Sequence, residues 1–181
     1  MAEQTKLFNV NTFISTVNKN KGFVRPNKYW VQIPWMHRET KMIVNPILCH
    51  SATLPGKAIE PMTYELGKGK EYQIASKIAY ENVDFSFYIT NDKWFEREIF
   101  SDWIDYIIEP KKDYVRYKNG NAGYARPITI TCYNEHHDKS YSIELENAFP
   151  ISINEVELSG EGHEPVSVTV NIAYDKWTRK T

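Results

Sequence analysis

Apolar and polar side chains alternate without a break over residues 166–174, with Val166, Val168, Val170, Ile172 and Tyr174 on one side and Ser167, Thr169, Asn171 and Ala173 on the other. A strand points successive side chains to opposite faces, so this period of two predicts a strand with one buried and one polar face. Burying each apolar group contributes roughly 1.5–3 kcal/mol, and fixing each backbone costs about 1–2 kcal/mol. The strand therefore needs others behind it. The same alternation recurs over 83–90, with Val83, Phe85, Phe87 and Ile89 on one side, and over 28–33, with Tyr29, Val31 and Ile33. Further strands are predicted over 46–53, 127–133, 141–145 and 151–158.

Residues 59–74 read as a hairpin. Met62, Tyr64 and Leu66 alternate in one arm and Tyr72 and Ile74 in the other, around the tip Gly67-Lys68-Gly69-Lys70. Its length and basic tip predict a ribbon that projects. After Thr90 the period changes: Phe95, Ile99, Trp103 and Ile107 are spaced by four, with Phe100, Ile104 and Ile108 beside them. This wide apolar stripe predicts a helix over about 92–109, capped by Asn91 or Asp92 and stopped by Pro110. Such a helix covers a sheet face, with Trp103 central. The expected core is Phe85, Phe87, Phe95, Ile99, Trp103, Val168, Val170 and Ile172.

A short helix is possible in the polar arm of residues 1–22, where Val10 and Ile14, and Phe13 and Val17, lie four apart. The arm's apolar side chains, Phe8 among them, suit docking on something else. Residues 34–45 and 111–125 carry no pattern and read as loops. The second holds five basic residues counting Arg126, enough for a partner contact, although a solvated excursion has the same composition.

Length and composition leave the picture intact. At 181 residues, 41% hydrophobic and 25% charged, the chain suits one soluble domain over 23–181 carrying the arm. It is mainly β with one flanking α-helix. No apolar run approaches a membrane span and no signal peptide precedes the first strand, so a protein made and kept in the cytoplasm is expected. Cys49 and Cys132, far apart in strand contexts, read as small buried residues rather than a disulfide or metal pair.

Charge adds one feature. Residues 1–77 carry 11 Lys and Arg against 5 Asp and Glu, and residues 78–181 carry 11 against 18, giving +6 and −7. This is either ordinary surface variation or an object with unlike ends, suited to head-to-tail contacts. Residues 140–174 hold six glutamates, including Glu144 and Glu146, and no Lys or Arg. A surface of that sign repels phosphates.

Candidate chemistry is thin. The GKGK tip lacks the spacing of a phosphate loop, and His136-His137-Asp138 reads as a turn because adjacent histidines on a hairpin do not converge on one ion. Asp102 and Asp105 fall on the helix's polar side. No nucleophile and base set is evident, which lowers the expectation of an enzyme, and no cofactor is expected.

One ordered set of residues carries a resemblance. Arg25-Pro26-Asn27 stands before the first strand, and Cys49 is followed by Ala52, Leu54 and Pro55. Thr90-Asn91-Asp92 separates strand from helix, and Asp102-Trp103 lies within the helix. Ile143-Glu144-Leu145, Phe149-Pro150 and the closing strand with Tyr174 and Trp177 complete the set. Over nearly its whole length the chain resembles the tail tube proteins of contractile-tailed, T-even-like bacteriophages.

The resemblance implies a β-sandwich or barrel-like subunit flanked by one helix. Six copies would close into a ring, and rings would stack into the inner tail tube of the virion, assembled in the host cytoplasm. The implied partners are further copies of the chain, the tail sheath protein, baseplate tube-initiator proteins and a tape-measure protein in the lumen. DNA would pass on ejection without specific binding, and no membrane insertion is implied. Subunit contacts are expected at Phe8, Phe13, Ile14, Tyr64, Leu66, Lys68, Lys70, Tyr72 and Ile74, and a lumen lining at Glu144, Glu146, Ser167, Thr169 and Asn171. The arm and the 34–45 and 111–126 loops are longer than in the family. A baseplate tube-initiator or adaptor ring and a type VI secretion-like tube are therefore alternatives. A different class, a small carbohydrate-binding or hydrolytic β-protein, would use Trp30, Trp35 and Trp94.

Overall fold

The computed structural model describes residues 9–37, 40–67, 69–110, 114–120, 123–156, 158–160 and 164–180, with the side chains of 35–37, 40–43 and Leu66 outside that description. The chain begins with helix α1 (Val10–Lys19), then β1 (Tyr29–Gln32), β2 (Pro34–His37), β3 (Thr40–Ile43), a 3-10 turn at Pro46–Leu48 and β4 (Cys49–Ala52). A long ribbon follows, β5 (Ala58–Leu66) and β6 (Lys70–Ala79), then β7 (Val83–Tyr88) and helix α2 (Phe95–Ile107). The short pair β8 (Ile108–Glu109) and β9 (Tyr114–Val115) leads to β10 (Arg126–Tyr133), β11 (Lys139–Ile153), β12 (Ser167–Ala173) and β13 (Lys176–Arg179).

One antiparallel sheet runs β1-β10-β11-β12-β7-β4, and β13 adds to it along β11. β11 is the strand that makes two layers of it. Its first part pairs with β10 on one side and β13 on the other, and residues Phe149 to Ile153 pair with β12. Leu145 and Ala148 both point into the core although three positions separate them, because the register against β10 slips between them. The extra residue is a bulge, which bends a strand and increases its twist. Asn147 in this stretch takes φ +54, a left-handed conformation that asparagine tolerates better than most residues.

The two layers enclose one core. Val31, Ile128, Ile130, Ile143 and Leu145 come from one layer, and Val83, Phe85, Phe87, Val168, Val170 and Ile172 from the other. Helix α2 lays Ile99, Phe100, Trp103 and Ile107 into it, with Phe95 packed at the margin. The Phe87 and Phe100 rings sit 5.5 Å apart, and Trp103 Nε1 donates to the Tyr124 carbonyl at 2.8 Å. A buried indole needs such an acceptor, since an unpaired buried donor costs about 1–3 kcal/mol. At the far side, Tyr29 of β1 donates its hydroxyl to the Cys49 carbonyl of β4 at 2.9 Å, bringing the two ends of the sheet together. Burial pushes the Tyr29 hydroxyl up to about 12 and the Cys49 thiol up to about 11.

Several expectations need correction. The loop expected over 34–45 holds a strand pair: β2 and β3 pair from Pro34 with Ile43 to His37 with Thr40. Backbone hydrogen bonds supply that ribbon without any apolar alternation. The separate strands expected over 141–145 and 151–158 are one strand of 15 residues ending at Ile153. The bulge before Ala148 and a second register shift between Pro150 and Ser152 break the period of two, and a bulge is where a strand accommodates proline. The strand expected over 46–53 starts with the 3-10 turn, and the 111–125 stretch includes β9, paired with β8.

Helix α2 begins at Phe95, and neither Asn91 nor Asp92 caps it. Lys93 and Trp94 precede it with φ of 56 each, and no side-chain hydrogen bond caps the helix. Glu96, 3% exposed, instead turns back and accepts from the Thr90 backbone N–H at 2.9 Å and from its hydroxyl. A carboxylate near the positive end of a helix is also favoured by the helix dipole.

Candidate assembly surfaces

The β5–β6 ribbon stands clear of the barrel. β6 is exposed along its length until Ala79, and the large side chains of both arms remain about half uncovered. The register puts Met62 opposite Ile74 and Tyr64 opposite Tyr72, with Leu66 aligned to Lys70. These residues share one face because each pair is two positions from the next. Thr63 with Gln73 and Glu65 with Glu71 form the other face. Among the described residues, nothing outside the ribbon covers these four apolar or aromatic groups on one side of it. Such a ribbon is marginal alone. Lys68 and the Leu66 side chain lie outside the described residues.

A second uncovered apolar surface is the described part of the arm, residues 9–22. Helix α1 has no buried residue, and Val10, Phe13 and Ile14 are exposed. The Phe13 ring approaches Phe23 at 6.2 Å, and Phe23 and Val24 are themselves exposed. Asn9 caps the helix by accepting from Asn11 N–H at 3.1 Å. Phe8 lies outside the described residues.

The outward face of β12 is polar, with Ser167, Thr169 and Asn171 on it. Thr169 aligns with Ser86 and their hydroxyls share a hydrogen bond of 2.8 Å, and Asn171 donates to Asp84 at 2.6 Å. Ser167 and Thr169 border an open cleft of about 750 Å³ together with Glu155 and Glu164. Glu144 and Glu146 lie on the outward side of β11, and both are paired: Glu144 with Lys180, and Glu146 with Lys176 at 3.2 Å. The acidic run of 140–174 thus meets cations that begin immediately after it. The repulsive surface expected from the run is reduced where β13 lies alongside.

Other groups singled out from the sequence are separate. The β10–β11 turn is closed by Asn134, which accepts from the backbone N–H groups of His136 and Asp138. Arg25 binds Glu135 in the same turn at 2.7 Å and holds its carboxyl below the usual range. Among the described residues no group of three or more His, Cys, Asp or Glu is placed to hold a metal ion. Trp30 borders a small cavity with Tyr133 and His137, whereas Trp94 sits at the start of α2. The side chain of Trp35 lies outside the described residues.

Sequence reasoning missed the contacts at the base of the ribbon. Trp177 Nε1 donates to the Gly56 carbonyl at 3.1 Å, and Asp175 is bound by Lys118 and by Asn147. Tyr174 and Trp177 stood out as members of the ordered set, but nothing in their spacing shows what they touch.

Solved structures share this architecture. The tube-terminating cap of the anti-feeding prophage is 16% identical, covering 88% of this chain and 91% of its own, with a TM-score of 0.64. A chain of the sheath-tube complex of the PVC extracellular contractile injection system in its extended state is 14% identical, covering 92% and 96%, with a TM-score of 0.63. The SPP1 tail tube follows at 11% identity, 87% and 78% coverage and a TM-score of 0.53. No curated protein matches in sequence. The fold is thus the one found in tube and tube-capping proteins of injection machines.

The family is shown by sequence. Residues 10–180 match the model for the phage tail tube protein, and the chain belongs to that family. It is a structural protein rather than an enzyme.

Proposed function

We propose that six copies of this chain close into a ring and that rings stack into the inner tube of a contractile bacteriophage tail, through which the genome is ejected. The observation that carries this reading is the β5–β6 ribbon, whose Met62, Tyr64, Tyr72 and Ile74 face projects uncovered from a subunit of the tail tube family. A heterologous contact between unlike surfaces closes a ring when its rotation permits and extends a filament when it does not. The ribbon and the apolar side of α1 are the surfaces that bridge subunits. The polar strand faces, with Ser167, Thr169 and Asn171, line the lumen, where small uncharged groups let a polyanion pass without being held.

In this reading the tail sheath protein surrounds the tube, baseplate tube-initiator proteins start it, and a tape-measure protein fills the lumen before ejection. The protein assembles in the host cytoplasm and resides in the virion tail. No described helix is long and apolar enough to cross a membrane. A second reading, a ring that terminates the tube, is favoured by the fold likeness to a tube-terminating cap. Electron microscopy of the purified protein tests both. Long tubes support the tail tube, isolated rings support the terminator, and monomers at high concentration overturn both.

A further inference from the structure

The ribbon leaves the barrel on two legs, Gly56-Lys57 before β5 and Tyr80 after β6, and both legs rest on the junction between β12 and β13. On the first, the Trp177 indole donates to the Gly56 carbonyl at 3.1 Å and the Lys57 ammonium lies 5.7 Å from its ring centre. On the second, the Tyr80 ring lies 6.0 Å from that of Tyr174. Between these two aromatic residues, Asp175 fixes the turn itself. Its carboxylate accepts from Lys118 and from Asn147 at 2.8 Å, and its N–H donates to the Glu146 carbonyl at 3.0 Å. Asn147 belongs to the bulged stretch of β11, and β13 pairs with β11 from Ile143 to Glu146. The junction is therefore anchored in the barrel wall on one side and grips the ribbon on the other.

The ribbon's internal ladder and its Lys77–Glu60 ion pair hold its two strands together but do not set its angle to the barrel. A long two-stranded lever with a free tip needs both feet fixed, because a small rotation at the base becomes a large displacement at Tyr64 and Tyr72. Tyr174 follows β12 directly and Trp177 lies three positions on within β13, so each grips one foot.

We propose that Trp177 and Tyr174 form a clamp at the β12–β13 junction that fixes the angle at which the ribbon meets a second copy of the chain. They are positioning residues: they act through Gly56 and Tyr80 on a docking face that they do not themselves form. The proposal rests on the reading of the ribbon as a docking element, and its test separates the two.

Spin labels at Gln73→Cys and His136→Cys, both at exposed positions, report the ribbon-to-barrel distance by pulsed electron resonance in the unassembled subunit; the native Cys49 and Cys132 are buried. The parent should give a narrow distribution. Trp177→Ala should broaden it at least twofold, Trp177→Phe should fall between, and Tyr80→Leu should broaden it from the other leg without touching the barrel core. The Tyr80 variant keeps the test open should Trp177→Ala fail to fold. The same variants are then titrated for assembly, where broadening should raise the threshold concentration several-fold. Equal widths in all folded variants overturn the clamp. Broadening with an unchanged threshold leaves the clamp standing and removes the ribbon from assembly.

Discussion

Replacing Tyr72 with alanine should separate assembly from folding. Tyr72 is 49% exposed and lies opposite Tyr64, which is 51% exposed. A tyrosine side chain carries about 150–250 Å² of surface, so roughly 100 Å² remains to be covered by a neighbour. At about 25 cal/mol per Å² this is worth around 2.5 kcal/mol, of which alanine would forfeit about 2 kcal/mol. Each 1.4 kcal/mol is a factor of ten, so the concentration needed for assembly should rise roughly 30-fold. The isolated subunit should lose much less, because a cross-strand aromatic pair contributes about 0.2–1 kcal/mol. Light scattering across a dilution series gives the threshold, and urea denaturation of the subunit gives its stability. A threshold that moves less than about threefold, with the subunit still folded, would refute the reasoning, since the predicted energy would then be absent from the contact.

Other consequences follow from the same geometry. Trp103→Ala removes the centre of the α2 contact and leaves the Tyr124 carbonyl without the indole, so subunit stability by denaturant titration should fall by about 3–5 kcal/mol. The hydrogen bonds from Lys118 and Asn147 hold the Asp175 carboxyl below its ordinary value of 3.8. A depressed carboxylate contributes stability above the ordinary value and loses it as pH falls through the depressed one. Asp175→Asn should therefore melt below the parent at neutral pH, and the gap in melting temperature should close in strong acid; a gap independent of pH would contradict this. Lysine at both Thr169 and Asn171 should slow DNA release from assembled particles while leaving assembly intact, and unaltered infectivity would count against a lumen position for that face.

How far the sequence discloses this structure depends on whether an element is defined by its own periodicity. β7 and β12 alternate cleanly and lie side by side, with Val168 opposite Phe87 and Val170 opposite Phe85. The stripe of α2 places Trp103 at 0% exposure. The projecting ribbon is legible from its two alternating arms, although it extends past the expected 59–74 to Ala58 and Ala79. β11 is less legible, because bulges at 145–148 and 150–152 shift the inward set by one residue each and make one strand look like two. The β2–β3 ribbon is held by backbone pairing, which leaves no mark in side-chain pattern. The start of α2 depends on Glu96 reaching Thr90 rather than on a local cap.

The candidate surfaces divide in the same way. The ribbon's apolar face follows from alternation, so Tyr64 and Tyr72 were identifiable before their register was known. Its attachment was not: Gly56 and Trp177 meet across 121 positions of sequence. The neutralisation of Glu144 and Glu146 by Lys180 and Lys176 likewise needs the β11–β13 pairing, since the charge count of 140–174 stops just short of those lysines.

A cryo-electron microscopy reconstruction of the assembled protein tests the central claim most directly. The account predicts stacked rings of six subunits in which the Met62, Tyr64, Tyr72 and Ile74 face of each ribbon is covered by another copy and Ser167, Thr169 and Asn171 face the lumen. A tube in which that ribbon face remains in solvent would contradict it.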